Sequence, residues 1–566
     1  MTADNAQVLL DRACEAHERG QLPQAEQLYR EALAARSDCV EALLGLGMLL
    51  RNAGRLEEAR EYLAKCAVLA PQPSYAWLEL GLTQVALNDR ESALHAFASA
   101  ARSDPSLVGA HVNLGLTLAE LNRPGPALTA LTVALNLKPD DAQILRSYAL
   151  VALDAGKPIE ALEAAERAAT GLDAPTAASL LGLTHLCARR YDRAEREFRR
   201  ALETAPDAPE LAVSLGATIE GAGRLDDAIE HYRAYLARQP GQLHARFMLA
   251  LLLLGKGAFD EGWEHYAARP SAREQRKSLA PAVEAQALAG KRVLVLTEQG
   301  IGDEVFFLRY IPLLRQLAQP EAIVYDASPK FRSVAGRIEA LDGVSAQGMM
   351  PWWAGPKVLL ADLPMLCRGA AQQGALPPPL RIAVLPERLA QWRSALTAFG
   401  PGPYIAVNWR GGQQPDRNPG QVQWFSQLQV KRIEPKLLGE ALKGWPGTVV
   451  SVQRLPEAAD LEAFRDALGA NVFDAARAND DIEDLLALLA CVDEQVGVST
   501  TSVHLRGAVD RSARILVQHP PEWRWMQSGD ESAWYPGFTL YRQSGDLDWS
   551  SALARLRRDL GLQEQG

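Results

Sequence analysis

The chain has 566 residues, too many for one hydrophobic core and enough for three or four domains. Apolar residues make up 48% and charged residues 23%, an ordinary water-soluble balance that excludes a disordered or membrane-embedded composition. The net charge of −10 disfavours wholesale binding to a phosphate backbone and predicts no nucleic-acid partner.

No basic segment followed by an apolar run opens the chain, so no signal peptide is predicted. The longest apolar stretch, Met248 to Leu254, falls far short of the roughly 20 residues of a membrane-spanning helix, and a cytoplasmic protein is expected. Six cysteines (Cys14, Cys39, Cys66, Cys187, Cys367 and Cys491) stand at no zinc-ligand or CxxC spacing and read as reduced thiols.

From about residue 5 to 269 the chain repeats with a period of 34 residues. Ala13, Gly47, Gly81, Gly115, Ala149, Gly182, Gly216 and Ala250 occupy one small position, with a single interval one residue short. Twelve residues later comes a second small position: Ala25, Ala59, Ala93, Ala127, Ala161, Ala194, Ala228 and Gly262. A bulky residue follows four later, as at Tyr29, Phe97, Phe198, Tyr232 and Tyr266, and Pro71, Pro105, Pro139, Pro206 and Pro240 close their repeats. Small residues allow the two helices of a hairpin to approach, the bulky residue is expected to fill the gap to the next repeat, and proline stops the second helix. A lone hairpin cannot bury its apolar face, so neighbours stack. The pattern resembles tetratricopeptide repeats in eight copies, an α-helical solenoid that implies a protein or peptide held in its groove. Seven of the nine histidines fall here, among them His95, His111 and His231, and read as surface or groove residues and not metal ligands.

Residues 270–290 form a polar, alanine-rich connector, after which the period changes. Strand Val293 to Leu296, the glycine turn EQGIGD, an amphipathic helix, strand AIVYDA and a helix from about Lys330 alternate as in a parallel α/β sheet. A proline-rich boundary and a bridging helix (386–402) lead to strand Ile405 to Asn408, then TVVSVQ, EQVGVS, the helix SVHLRGAV and strand RILVQHP. These elements predict two Rossmann-like lobes, 291–385 and 403–566, around a cleft, with ligands at the carboxyl ends of the strands.

In EQGIGD, Gly300 and Gly302 permit a tight turn and Asp303 opens the following helix, as a cap or as a group facing the cleft. In VSTTSVH, the hydroxyls of Ser499, Thr500 and Thr501 precede a helix whose free N–H groups attract phosphate, with His504 one turn inside. Lys431 and Arg432 form either a basic patch or a solvated pair. The glutamine-rich stretch Gly411 to Val430 is long for a connection and is expected to cover the cleft. Trp523, Trp525 and Trp534 read as core residues bracing the lobe in preference to a sugar-stacking platform.

Taken in order, EQGIGD, FFLRYIPLL, NWRGG, SVQ, STTSVHLRGAV and EWRWMQSGDESAWYPGFTLYRQ resemble the bacterial tetratricopeptide proteins whose C-terminal domain is a heptosyltransferase-like, GT-B-fold glycosyltransferase of family 9. The resemblance covers nearly the whole chain. It implies metal-independent, inverting transfer of a sugar from a nucleotide sugar to an acceptor, with no bound cofactor. It further implies Asp303 as base and His504 near the donor diphosphate, with Gly300, Gly302, Lys431, Arg432 and Ser499–Thr501 contacting phosphate. Ser499 stands where that family usually has aspartate, so a non-catalytic adaptor with a degenerate transferase domain is one alternative and a glycan-modifying enzyme another. The row Asp11, Gly45, Glu79, Asn113, Ser147, Leu180, Ser214 and Met248 carries no asparagine ladder, so the likeness to protein O-GlcNAc transferases is architectural only.

Overall fold

The computed structural model describes residues 3–277, 279, 284–350, 352–368, 376–411 and 431–562. The chain folds as two compact units that divide between Pro206 and Asp207.

The first unit is six helical hairpins: α1 (Ala3–Glu18) with α2 (Leu22–Ala35), α3 (Val40–Asn52) with α4 (Leu56–Leu69), α5 (Ser74–Ala86) with α6 (Arg90–Ser103), α7 (Val108–Glu120) with α8 (Pro124–Leu137), α9 (Ala142–Asp154) with α10 (Pro158–Ala168), and α11 (Ala174–Cys187) with α12 (Tyr191–Thr204). Helices α4, α6, α8 and α12 each stop two residues before their closing proline, because proline biases the residue before it away from helical dihedrals. A Cβ added to Gly81 would lie 2.5 Å from the Phe97 ring, one on Gly115 2.7 Å from Leu131, and one on Gly182 2.8 Å from Phe198. The bulky residue therefore seats on the glycine of its own hairpin, 16 residues earlier. Tyr29 does reach the next repeat, lying against Gly45 of α3. The turns between paired helices carry a second period: Gly20, Gly54, Asn88, Asn122, Gly156 and Arg189 all have φ between +56° and +76°. Glycine and asparagine tolerate that left-handed conformation, and Arg189 is the exception. His111 is buried and its Nε2 lies 3.0 Å from the Pro105 carbonyl, so it is not the surface residue expected.

The second unit begins with two more hairpins, α13 (Pro209–Gly221) with α14 (Leu225–Arg238) and α15 (Leu243–Lys256) with α16 (Phe259–Tyr266). Two parallel sheets follow. The first comprises β1 (Arg292–Leu296), β2 (Ala322–Ala327), β3 (Gly343–Ala346) and β4 (Lys357–Leu359), in spatial order β3-β2-β1-β4. The second comprises β5 (Tyr404–Asn408), β6 (Thr448–Ser451), β7 (Val472–Asp474), β8 (Glu494–Val498), β9 (Arg514–Val517) and β10 (Thr539–Arg542), in spatial order β10-β9-β8-β5-β6-β7. Counted from β5, this is the doubly wound order 3-2-1-4-5-6, with its switch point between β5 and β8. Its inner strands are buried nearly throughout, because a parallel sheet is covered on both faces.

The predicted limit of the repeat array at residue 269 does not coincide with a break in packing. Trp263 and Tyr266 of α16 lie in one core with Phe306, Phe307, Trp523 and Trp534, so the last repeats are part of the α/β unit. Nor is the connector simply polar: it carries a short helix, Ala272–Arg276, and Arg269 is buried against Glu298 and Asp362, with Arg276 2.6 Å from Asp362. Glu298 and Asp362 follow β1 and β4, so these ion pairs occupy the switch point of the first sheet. The helix expected from about Lys330 is only Arg332–Ala335, and the bridging helix spans Pro386–Phe399. The predicted cover over Gly411 to Val430 lies, from residue 412, outside the described residues.

Candidate functional site

The loops after β1, β8 and β9 meet where the carboxyl ends of the two sheets face each other. After β1, Gly300 is the N-cap residue of helix Ile301–Leu308, and Asp303 is its third residue. The Asp303 carboxylate pairs with Arg524, in the segment after β9. Of the two roles left open for Asp303, the cap position is held by Gly300, and the carboxylate in the first turn is taken by the adjacent guanidinium, a stronger partner than a backbone N–H. The Asp303 side chain retains 28% exposure.

Arg524 also pairs with Glu522, and Glu522 accepts from Lys431 Nζ at 2.6 Å and from Ser499 Oγ at 3.1 Å. The row Asp303–Arg524–Glu522–Lys431 alternates in sign and cancels. Glu522 is buried, which alone raises a carboxyl pKa, but Lys431 and Arg524 outweigh burial and hold it well below the usual carboxylate range. Arg524 is pushed up: burial disfavours its charge, and Asp303 and Glu522 reverse the effect.

His504 lies in helix Thr501–Ala508, is buried, and has Nδ1 2.6 Å from the Tyr535 hydroxyl. Burial, then Arg524, holds the imidazole well below its ordinary range, so it is neutral at neutral pH. It stacks on Trp525 with ring centroids 6.2 Å apart and meets the edge of Phe306. A Cβ on Gly302 would sit 3.0 Å from His504 Cδ2 and 3.6 Å from Thr501 Cα, so only glycine lets the two helix starts approach this closely.

Several sequence-derived expectations change here. Trp523, Trp525 and Trp534 are core residues, as expected, and pack with Phe306 and Tyr535 as buried side chains where the cleft was expected to be open. His504 lies one turn inside its helix, as expected, and is an interior group. The Ser499 hydroxyl is taken by Glu522, and Thr500 Oγ1 and Ser502 Oγ lie 2.8 Å apart, so these hydroxyls already have protein partners. Lys431 and Arg432 do not form one basic patch: neighbours on an extended segment point apart, and Arg432 faces Asp460 (3.7 Å) and Glu434 (3.9 Å), away from Glu522. Asp303, Gly302, Lys431, Ser499, Thr501 and His504 are brought together, Gly300 shapes the turn, and Arg432 lies apart. Arg524, Glu522 and Tyr535 are the members that sequence reading missed. The only signal for the first two was a charged pair, Glu522 and Arg524, set among tryptophans. Among the described residues no group of histidine, cysteine and acidic side chains is arranged to hold a metal, and no helix is long and apolar enough to cross a membrane.

Comparison with known proteins locates a family match in the helical half. The family model described as tetratricopeptide repeat matches residues 10–74, 78–142, 149–209, 179–242 and 220–273. Residues 10–273 are tetratricopeptide repeats. Protein FlbA of Caulobacter vibrioides is 24% identical over 295 residues, 48% of this chain, and the chain spans 46% of that protein's length. Among solved structures, a MamA protein is 23% identical with a TM-score of 0.28, covering 30% of this chain and 91% of its own. YrrB, described as a TPR protein with an unusual peptide-binding site, is 20% identical with a TM-score of 0.27, covering 28% of this chain and 82% of its own.

Proposed function

We propose that this tetratricopeptide protein is an inverting glycosyltransferase that holds a protein or peptide acceptor on its repeats and draws a sugar from a nucleotide sugar at the α/β module, which we read as GT-B-like. One observation carries the reading: Asp303, Lys431, Ser499 and His504, from separate segments, converge with Glu522 and Arg524 where the carboxyl ends of two parallel sheets meet, the place such sheets use for ligands. In this reading the acceptor hydroxyl attacks the anomeric carbon, the nucleoside diphosphate leaves, and Asp303 accepts the hydroxyl proton. Arg524 orients that carboxylate. Lys431 meets the diphosphate by exchanging Glu522 for phosphate oxygens, and the backbone at Gly302 and Ser499–Thr501 supplies N–H donors.

The test is single-turnover transfer by Asp303→Asn. A base role predicts a loss on the order of a hundred- to ten-thousand-fold with donor affinity retained. Turnover within a few-fold of the parent would sink the assignment.

A second reading, a protein-binding adaptor without activity, is favoured by the pairwise cancellation of the charges and by Ser499 at the position of the family's aspartate. A thermal-shift panel of nucleotides and nucleotide sugars separates the two. A ligand at a hundred times its Kd stabilises by about 2.7 kcal/mol, and no shift with any member supports the adaptor.

A further inference from the structure

His504 raises a question that the charge row does not answer: which ring nitrogen carries its proton. A neutral imidazole has one N–H, and which nitrogen bears it is set by the bond the other makes. Nδ1 lies 2.6 Å from Tyr535 Oη, and either atom is a possible donor in that pair.

Counting hydrogens decides the direction. Tyr535 is 1% exposed, so its hydroxyl hydrogen has no access to water. Its remaining polar surroundings are mainly cationic: Arg309 lies with its guanidinium carbon 4.6 Å from the Tyr535 ring centroid, Arg524 acts on the hydroxyl in the same sense, and Glu522, the weakest of the three, acts in the opposite one. A guanidinium has only donors, and its field turns the hydroxyl oxygen towards it and the hydrogen away. Among the described residues, Nδ1 is the one acceptor bonded to that hydroxyl. If Nδ1 carried the proton, two hydrogens would compete for one contact and the phenolic hydrogen would be buried unbonded, an expensive arrangement. The opposite edge of the ring faces the first lobe, since Cδ2 is the atom nearest the Gly302 position.

We infer that Tyr535, backed by Arg309, is a positioning residue that fixes His504 as the Nε2–H tautomer and presents that N–H toward the Gly302–Asp303 turn. What takes the proton there rests on the reading proposed above, in which it is a phosphate oxygen of the donor. The tautomer itself does not depend on that reading. Arg309 contributes because it also anchors the Tyr535 segment, donating from Nη1 to the Trp534 carbonyl at 2.8 Å and from Nε to the Phe306 carbonyl at 2.9 Å.

The experiment uses the full chain labelled with nitrogen-15 histidine, with the His504 signals assigned by their loss in His504→Gln. The expected result is a directly bonded proton on Nε2 and a bare, accepting Nδ1. Tyr535→Phe, which keeps the ring and its packing, should convert this to a mixture of tautomers, while its melting curve reports that the fold persists. A proton on Nδ1 in the parent, or an unchanged pure Nε2–H form in Tyr535→Phe, overturns the inference. Inorganic pyrophosphate then probes the ligand: it should move the Nε2 signal, and its affinity should fall by about two- to tenfold in Tyr535→Phe, the worth of one neutral hydrogen bond. With the tautomer as inferred but no response to pyrophosphate, it is the donor-binding reading that fails, and the assignment of Tyr535 stands.

Discussion

The six hairpins of residues 3–206 and the α/β unit that follows use charge in opposite ways. In the hairpins the ion pairs are mostly exposed, such as Arg123–Glu91 at 2.9 Å with side chains 48% and 62% accessible. Stability there comes from glycine seated on a ring or leucine sixteen residues later, repeated along the chain. The α/β unit adds pairs that are buried or half-buried and join distant segments: Asp303 with Arg524 across 221 residues, Arg337 with Glu483 across 146, and Arg269 with Asp362 across 93. The difference teaches that desolvation, and not the number of ion pairs, decides where a charge matters. An exposed pair adds little because water already solvates both partners. A buried row is costly to interrupt because removing one member strands its neighbours.

The sharpest way to break the comparison is Glu522→Gln. It keeps the shape but leaves Lys431 and Arg524 short of a counter-charge, and should cost on the order of 3–5 kcal/mol. Tryptophan fluorescence in urea reads it selectively, since Trp77 is the only tryptophan before residue 207. A loss below about 1 kcal/mol would mean the row is solvated. Acid provides the same test without a mutation. Glu522 has a folded pKa depressed below its ordinary 4.5, so its contribution is complete above that pH and drains away as the pH falls towards the folded value. The fluorescence-detected stability of the parent should decline below about pH 4.5, and Glu522→Gln should flatten that part of the profile.

In the repeats, Gly115→Leu should cost about 1–3 kcal/mol by overpacking, because the new Cβ falls 2.7 Å from Leu131 Cγ and 3.1 Å from the Ala127 carbonyl. Circular dichroism at 222 nm (the usual helix wavelength) follows it, and an unchanged midpoint would refute the packing register. Arg189→Gly should stabilise by roughly 0.5–1 kcal/mol, the relief of a left-handed arginine at φ +56° less the added freedom of the unfolded chain. The smallest effect belongs to Arg123→Ala, a change of about 0.2–1 kcal/mol in the same denaturation measurement. A larger loss would show that exposed inter-repeat pairs matter more than this comparison holds.

The helical half was legible because its contacts are local. A hairpin brings together residues about sixteen apart, so the small, bulky and proline positions recur at the period of the fold. The turn glycines and asparagines at Gly20, Gly54, Asn88, Asn122 and Gly156 carry the same information. The β1 and β5 strands and the glycine turn at Gly300–Gly302 were also visible, because an apolar run ending in glycine has few alternatives. The strands β3, β4, β7 and β10, of three or four residues, were not, although β6 and β9, of four residues each, were.

What the sequence determined by itself is therefore the repeat array, its register, and the presence of a parallel α/β region with Asp303, Ser499 and His504 at strand ends. Only the tertiary structure decided which charges face one another. Arg524 and Glu522 are chosen as partners of Asp303 and Lys431 by the meeting of two sheets, and Tyr535 reaches His504 from a segment 31 residues away. The physical reason is that electrostatic pairing and desolvation act through space and leave no periodic trace along a chain, whereas helix packing repeats with the backbone that produces it.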